Sequence, residues 1–221
     1  MLRGFILLVV YLGSLAAILF TSFGSADWPM AWASLGAYVV ISVVNFFLVD
    51  PELVRERSRL REGIQTRDVL LAGVSFLFFY PMTLFVAGID VGRFGWSPPL
   101  PLSLQFLALL AFALGNALGS WAMVTNRYFS TFVRIQTDRS HEVVMRGPYR
   151  YVRHPGYAGS ILAAVALPIA LGSLWALIPA CVGAAGFTVR TALEDRTLMQ
   201  ELDGYRRYAD RVRYRLVPGI W

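Results

Sequence analysis

The side chains best suited to holding a charged ligand lie in two short stretches. His154 opens the run His154-Pro155-Gly156-Tyr157, and Arg190 and Glu194 lie four apart further along. Pro155 suits the first turn of a helix, because its missing N–H costs nothing there. His154 then falls near the N-cap, and the free backbone N–H groups of such a start attract an anion, for example an amino-acid carboxylate. The same four residues also read as a plain helix start with aromatic and basic interface anchors. Arg190 and Glu194 share one helical face, where the last apolar run ends. As an exposed ion pair they would contribute little. Facing a bundle at a membrane boundary, such a pair marks a functional site. Arg190 would grip an anionic acceptor through its planar fork, and Glu194 would accept hydrogen bonds from a cationic or hydroxyl-bearing ligand.

The elements that must position these residues are strongly apolar. Of the 221 residues 57% are hydrophobic and only 15% charged, against about a quarter charged in soluble domains. Apolar runs cover 5–23, 28–49, 69–87 and 102–124, each long enough for a membrane span. Two shorter runs, 157–171 and 174–189, are joined by Gly172-Ser173 and read as a helical hairpin bent by Pro168 and Pro179. Pro81 is expected to kink the third span. Asn45 is expected to hydrogen-bond a neighbouring helix, and Gly115 and Gly119 to form a close-packing face. The alternating charges of 50–68 predict a surface helix over 51–62, and 88–101 reads as a loop. Leu198, Leu202 and Tyr205 fall at helical spacing, which predicts an amphipathic tail helix. The fold expected is therefore all-α, a polytopic membrane helix bundle of about six membrane segments including the C-terminal hairpin. It reads as a single membrane domain over 1–221, with a four-span scaffold in 1–124 and the ligand-binding region in 125–221.

All 20 basic residues are arginine, and the net charge is +6. All but Arg93 fall before the first span, in 50–68, in 125–155 or after 189. The positive-inside rule then puts both termini, the tail helix and the two chemical stretches on the cytoplasmic side. This distribution fits anionic headgroups and topology and argues against nucleic acid as the partner. The lack of lysine points to a GC-rich bacterial genome, and so to an inner membrane. One cysteine, Cys181, and two histidines 13 apart provide neither a disulfide nor a metal-ligand set. A glycine-rich dinucleotide loop is absent as well. The sequence sets no oligomeric state.

Taken in order, the motifs resemble the isoprenylcysteine carboxyl methyltransferase family, integral-membrane enzymes that use S-adenosylmethionine. The resemblance rests on His141-Glu142-Val143-Val144, Gly147-Pro148-Tyr149, Arg153-His154-Pro155-Gly156-Tyr157-Ala158-Gly159, Arg190-Thr191, Glu194-Asp195, Tyr205, Tyr208 and Arg215-Leu216-Val217-Pro218. It covers about residues 125–218, and the family's usual second acid after the glutamate appears here as Asp195, a mild departure. It implies an S-adenosylmethionine site made by His141, Glu142, Val143, Val144, Tyr149, His154, Pro155, Gly156, Tyr157 and Glu194. It associates Arg190 with the acceptor, so that Arg190 and Glu194 are the expected catalytic pair. Gln136 is a weaker match to a further cofactor contact. The implied acceptor is lipophilic, a prenylcysteine-like or other isoprenoid or lipid carboxylate entering from the bilayer. A carboxylate is already ionised near neutral pH and needs no general base. Methylation of a phospholipid amine, a membrane reductase and a non-catalytic scaffold of the same fold are the alternatives.

Overall fold

The structure, a computed structural model, describes residues 2–57, 66–132 and 134–221, and every regular element within them is helical. The first two apolar runs form α1 (Leu2–Phe23) and α2 (Pro29–Leu48). Then comes α3 (Pro51–Arg57); the remainder of the surface helix expected over 51–62 lies outside the described residues. The third run is a compound helix. It comprises α4 (Thr66–Leu77), a π-turn over Phe78–Met82, α5 (Thr83–Ile89) and a second π-turn over Asp90–Phe94. After it come α6 (Leu102–Thr125), α7 (Pro155–Ala170), α8 (Leu177–Glu201) and the short α9 (Tyr205–Arg211). The stretches Gly4–Phe23, Pro29–Leu48, Thr66–Phe94 and Leu102–Thr125 are long and apolar enough to cross a membrane. Their outward faces carry Leu7, Val10, Phe47 and Leu107, all exposed. The chain is thus an all-α polytopic membrane bundle.

Three expected boundaries move. The third helix does not stop at residue 87 but continues to Phe94. Asp90 makes this possible: its buried carboxylate takes the Ser97 N–H at 2.8 Å and the hydroxyls of Ser97 and Ser173, so a charge inside the bundle is satisfied. Next, the hairpin runs from α7 to an α8 that begins at Leu177 and extends far past the apolar run. Pro179 therefore lies in the first turn of α8, where it starts the helix rather than bending it. Finally, the tail is not one amphipathic helix. α8 ends at Leu202 in extended geometry, and Gly204 turns the chain with φ +81° before α9. Leu198, Leu202, Tyr205 and Tyr208 nevertheless join one apolar cluster, so the amphipathic face is real although the helix is broken.

Lipid tails are as apolar as leucine, so membrane helices associate by close packing and hydrogen bonds rather than by escape from water. Both devices are present. The most extensive helix contact, α6 on α7, is backbone on backbone. A Cβ on Gly115 would lie 2.6 Å from the Gly159 carbonyl oxygen, and one on Gly159 would strike the Gly115 carbonyl in return. Asn45 Nδ2 donates to Ser120 Oγ at 2.9 Å, linking α2 to α6. At Pro81 the missing donor is accommodated by the π-turn, and Thr83 Oγ1 donates to the Phe78 carbonyl at 2.8 Å. The core cluster includes Leu15 and Leu19 of α1, Phe112 of α6, Leu167 of α7 and Phe187 of α8.

Gly159→Val is expected to force α6 and α7 apart and to cost about 1–3 kcal/mol or more, as overpacking does. Gly119→Ala places its methyl 3.9 Å from the nearest atom and should change stability by no more than about 0.5 kcal/mol. Thermal unfolding of the two variants in detergent checks the contrast; equal melting temperatures would refute the backbone contact.

Candidate active site

The connection from α6 to α7 carries most of the expected ligand-binding residues, and a chain of local hydrogen bonds shapes it. Asn126 caps α6; its Oδ1 accepts the Tyr128 N–H at 2.9 Å and its Nδ2 donates to the Tyr149 hydroxyl at 3.2 Å. Gln136 is fully buried. Its Nε2 donates to the Tyr128 carbonyl at 2.7 Å, and its backbone N–H reaches His141 Nδ1 at 3.3 Å. The Tyr128 and His141 rings pack at 4.4 Å, and the Tyr128 hydroxyl donates to the Ser140 carbonyl at 2.7 Å. With Nδ1 accepting a hydrogen bond, His141 is neutral. Burial first, then Arg134 and Arg139, lower its pKa from 6.5 to about 4. This braced loop presents His141, Glu142, Val143 and Val144 along one wall of a cleft.

The opposite wall is anchored by Asp195, which is 2% exposed. Arg153 grips it with a bidentate fork, Nε to Oδ1 at 2.8 Å and Nη2 to Oδ2 at 3.0 Å. Arg215 Nε donates to Oδ2 at 2.8 Å and the Tyr205 hydroxyl to Oδ1 at 2.9 Å. His154 Nε2 lies 3.1 Å from Oδ1, and facing a carboxylate it must carry the proton. Burial alone would raise the Asp195 pKa. The hydrogen bonds from His154, Arg153 and Arg215 outweigh it and hold the carboxyl far below the usual range. Backbone bonds from Arg153 and His154 to the carbonyls of Tyr214 and Arg215, both 2.9 Å, bring the last residues under the start of α7. His154 is indeed the N-cap of α7, as expected. Its side chain, however, makes no cap bond and turns to Asp195.

Arg190 and Glu194 serve different partners. Arg190 is buried, with Nε 3.0 Å from Asp68 Oδ1 and Nη2 donating to the Thr131 carbonyl at 2.6 Å. Its fork therefore ties α8 to α4 and to the α6–α7 connection. Glu194 accepts the Tyr157 hydroxyl at 2.8 Å. One cleft is lined by His141, Glu142, Val143, Val144, Tyr149, His154, Gly156, Tyr157, Arg190 and Glu194 together. Of the expected residues Pro155 is not in the lining, being buried in the first turn of α7, and neither is Gln136, the weaker match, which is fully buried. Sequence reasoning did not single out Tyr128, Phe129, Ser160 and Thr197, which also line the cleft, nor Asp68, which holds Arg190; it named Asp195 only as a family position, without its role as the anchor of Arg153, His154 and Arg215. Asp68 had a signal, an acid at the threshold of an apolar run. The aromatics had none, since their role depends on how the loop folds back.

The cleft suits a ligand with both charges and a flat ring. Glu142 and Glu194 offer carboxylates, Arg57 and Arg190 bring positive charge, and Tyr128, Phe129, Tyr149 and Tyr205 offer ring faces. Those are the group types that S-adenosylmethionine would require.

Two outcomes follow. Asp195→Asn leaves Arg153 buried without its counter-charge, and breaking such a pair costs about 3–5 kcal/mol; denaturant unfolding of the purified protein measures it. For His141, the unfolded chain takes up a proton near pH 6.5 while the folded one resists to about pH 4. Its contribution is complete above pH 6.5 and is lost as pH falls toward 4. Melting temperature should therefore drop more steeply across that window in the parent than in His141→Gln.

Residues 107–200 match the family model described as the isoprenylcysteine carboxyl methyltransferase (ICMT) family. Two rice proteins, from Oryza sativa subsp. indica and Oryza sativa subsp. japonica, are each named probable protein-S-isoprenylcysteine O-methyltransferase. Each is 32% identical over 68 residues, 30% of this chain. The match covers 36% of each rice protein, so the chain spans about a third of the length of the curated relatives it matches. The segment that contributes α7, the His141–Val144 wall and the Arg190–Glu194 face thus carries the pattern of the isoprenylcysteine carboxyl methyltransferase family.

Proposed function

We propose that this protein is an S-adenosylmethionine-dependent methyltransferase acting on the carboxylate of a lipophilic, prenylcysteine-like acceptor. The observation that carries the reading is the convergence of the family-pattern residues on one cleft, although they come from three separate stretches of chain. When bound, S-adenosylmethionine would supply a methyl group on a sulfonium sulfur; its transfer to an ionised carboxylate oxygen would break the C–S bond, leave the electron pair on sulfur and need no proton transfer.

The protein's own contribution is alignment and exclusion of water. Glu194, fixed by the Tyr157 hydroxyl, places a carboxylate where a cationic ligand group would sit. Tyr149 is held through its hydroxyl by Asn126 and through its carbonyl by the Tyr208 hydroxyl at 2.7 Å, so its ring is a fixed face. Arg190 adds positive potential beside the acceptor while Asp68 keeps it in place. Phe76 and Phe187 extend the cleft toward the α4–α8 surface, where Phe76 is 45% exposed. That is a lateral entrance for an acceptor tail from the bilayer. The arginine distribution supports a cytoplasmic position for the cleft and both termini, where a soluble cofactor is available. A bacterial inner membrane is the setting we infer.

Calorimetry on detergent-purified protein tests the cofactor. The parent should bind S-adenosylmethionine with Kd on the order of micromolar. Glu194→Ala and Tyr157→Phe should weaken it at least about tenfold, equivalent to about 1.4 kcal/mol, at unchanged melting temperature. No binding by a folded parent overturns the reading. Labelled methyl should then appear as a base-labile ester on a farnesylated cysteine; label on phosphatidylethanolamine instead would establish the amine acceptor.

A further inference from the structure

We propose that Arg57, at the end of α3, is the residue that binds and orients the acceptor carboxylate. This inference rests on the methyl-transfer reading and assigns the anion-binding end of the cleft.

Arg57 lines the cleft. Its Nη1 is buried and has no hydrogen-bond partner among the described residues. A buried guanidinium nitrogen left unsatisfied carries a substantial desolvation cost, and such exceptions mark places where a ligand completes the bonding. The side chain is held rather than loose. Its guanidinium stacks over the Phe129 ring at 5.0 Å, and its backbone carbonyl accepts the Thr131 hydroxyl at 3.2 Å. Phe129 is in turn wedged against Gly156, where an added Cβ would meet the ring at 2.6 Å. The α7 start therefore sets the position of Arg57.

Arg190 also lines the cleft, but two of its three guanidinium nitrogens are already engaged. Asp68 and the Thr131 carbonyl take its Nε and Nη2. Thr131 thus positions both arginines, one through its carbonyl and one through its hydroxyl. Burial, and then the nearby Arg190 charge against the opposing pull of Tyr157, push the Arg57 pKa below its usual value. Arginine stays protonated all the same, and an incoming anion relieves both effects. The ligand is a carboxylate at the tip of an apolar tail. Arg190 packs over the Tyr157 ring at 5.8 Å, Tyr157 lies 5.7 Å from Phe187, and Phe187 meets Phe76 at 5.4 Å, so the charge site passes directly into an aromatic wall at the lipid-facing side.

The cofactor also has a carboxylate, and the test separates the two. Binding of a farnesylated cysteine acid and of its methyl ester is measured on the full chain in detergent, alongside binding of S-adenosylhomocysteine. The parent should prefer the acid to the ester by about tenfold. Arg57→Gln should bind both alike, with S-adenosylhomocysteine affinity and melting temperature unchanged. Arg57→Lys, which keeps the charge without the fork, should fall between. If Arg57→Gln retains the acid preference, or loses S-adenosylhomocysteine instead, the assignment is overturned. A parent that does not distinguish acid from ester overturns it without any variant. A parent that binds no S-adenosylhomocysteine overturns the methyltransferase reading itself, a separate outcome.

Discussion

The buried carboxylate of Asp195 is the constraint on which the rest of the cleft depends. A carboxylate taken out of water must be fully hydrogen-bonded or it destabilises the fold. Here Arg153 and His154, Tyr205, and Arg215 satisfy it from three different places in the chain. Satisfying one charge therefore fixes the start of α7, the C-terminal part of α8, the start of α9 and the final loop relative to one another. The tail is drawn back beneath α7 because Asp195 needs Arg215.

Glu194 and Asp195 show how neighbouring acids come to serve different ends. Successive residues on a helix point about 100° apart. Asp195 turns into the network behind α7, and Glu194 turns to Tyr157 and the cleft. Arg190 follows the same logic one turn earlier. Asp68 and Thr131 hold it as a brace between α4 and α8, and this brace keeps the aromatic end of the cleft in place. A polar site at a membrane boundary is thus built from paired charges whose remaining faces look inward.

The bundle below the cleft provides rigidity by close approach. Glycines at 115 and 159 bring α6 and α7 into backbone contact, and no hydrophobic force between helices in lipid would do so unaided. The π-turn at Pro81 keeps the third helix continuous while widening it, so α4 can lie against α8 near Phe187 and Phe79. Because α7 is pinned at both its glycine seam and its Asp195 end, Gly156 and Tyr157 have little freedom to move.

The sequence by itself determined the class of the protein. Apolar runs of membrane length require helices, because only a helix satisfies its own backbone in lipid. The spacing of Gly115 and Gly119 announced a close contact, Asn45 an interhelical bond, and Pro155 a helix start. The order of His154, Tyr157, Arg190 and Glu194 carried the family pattern. Partners distant in sequence were decided only by the tertiary structure. Arg190 and Glu194 suggest a pair by spacing, yet each finds a better-placed partner, Asp68 across 122 residues and Tyr157 across 37. Arg57 looked like one of many charges in an alternating run, and only the folding of α3 against Phe129 and Thr131 put its guanidinium in the cleft. Local propensity follows from neighbours in the chain. Which charges are buried, and which are left to meet a ligand, follows from the packing of the whole bundle.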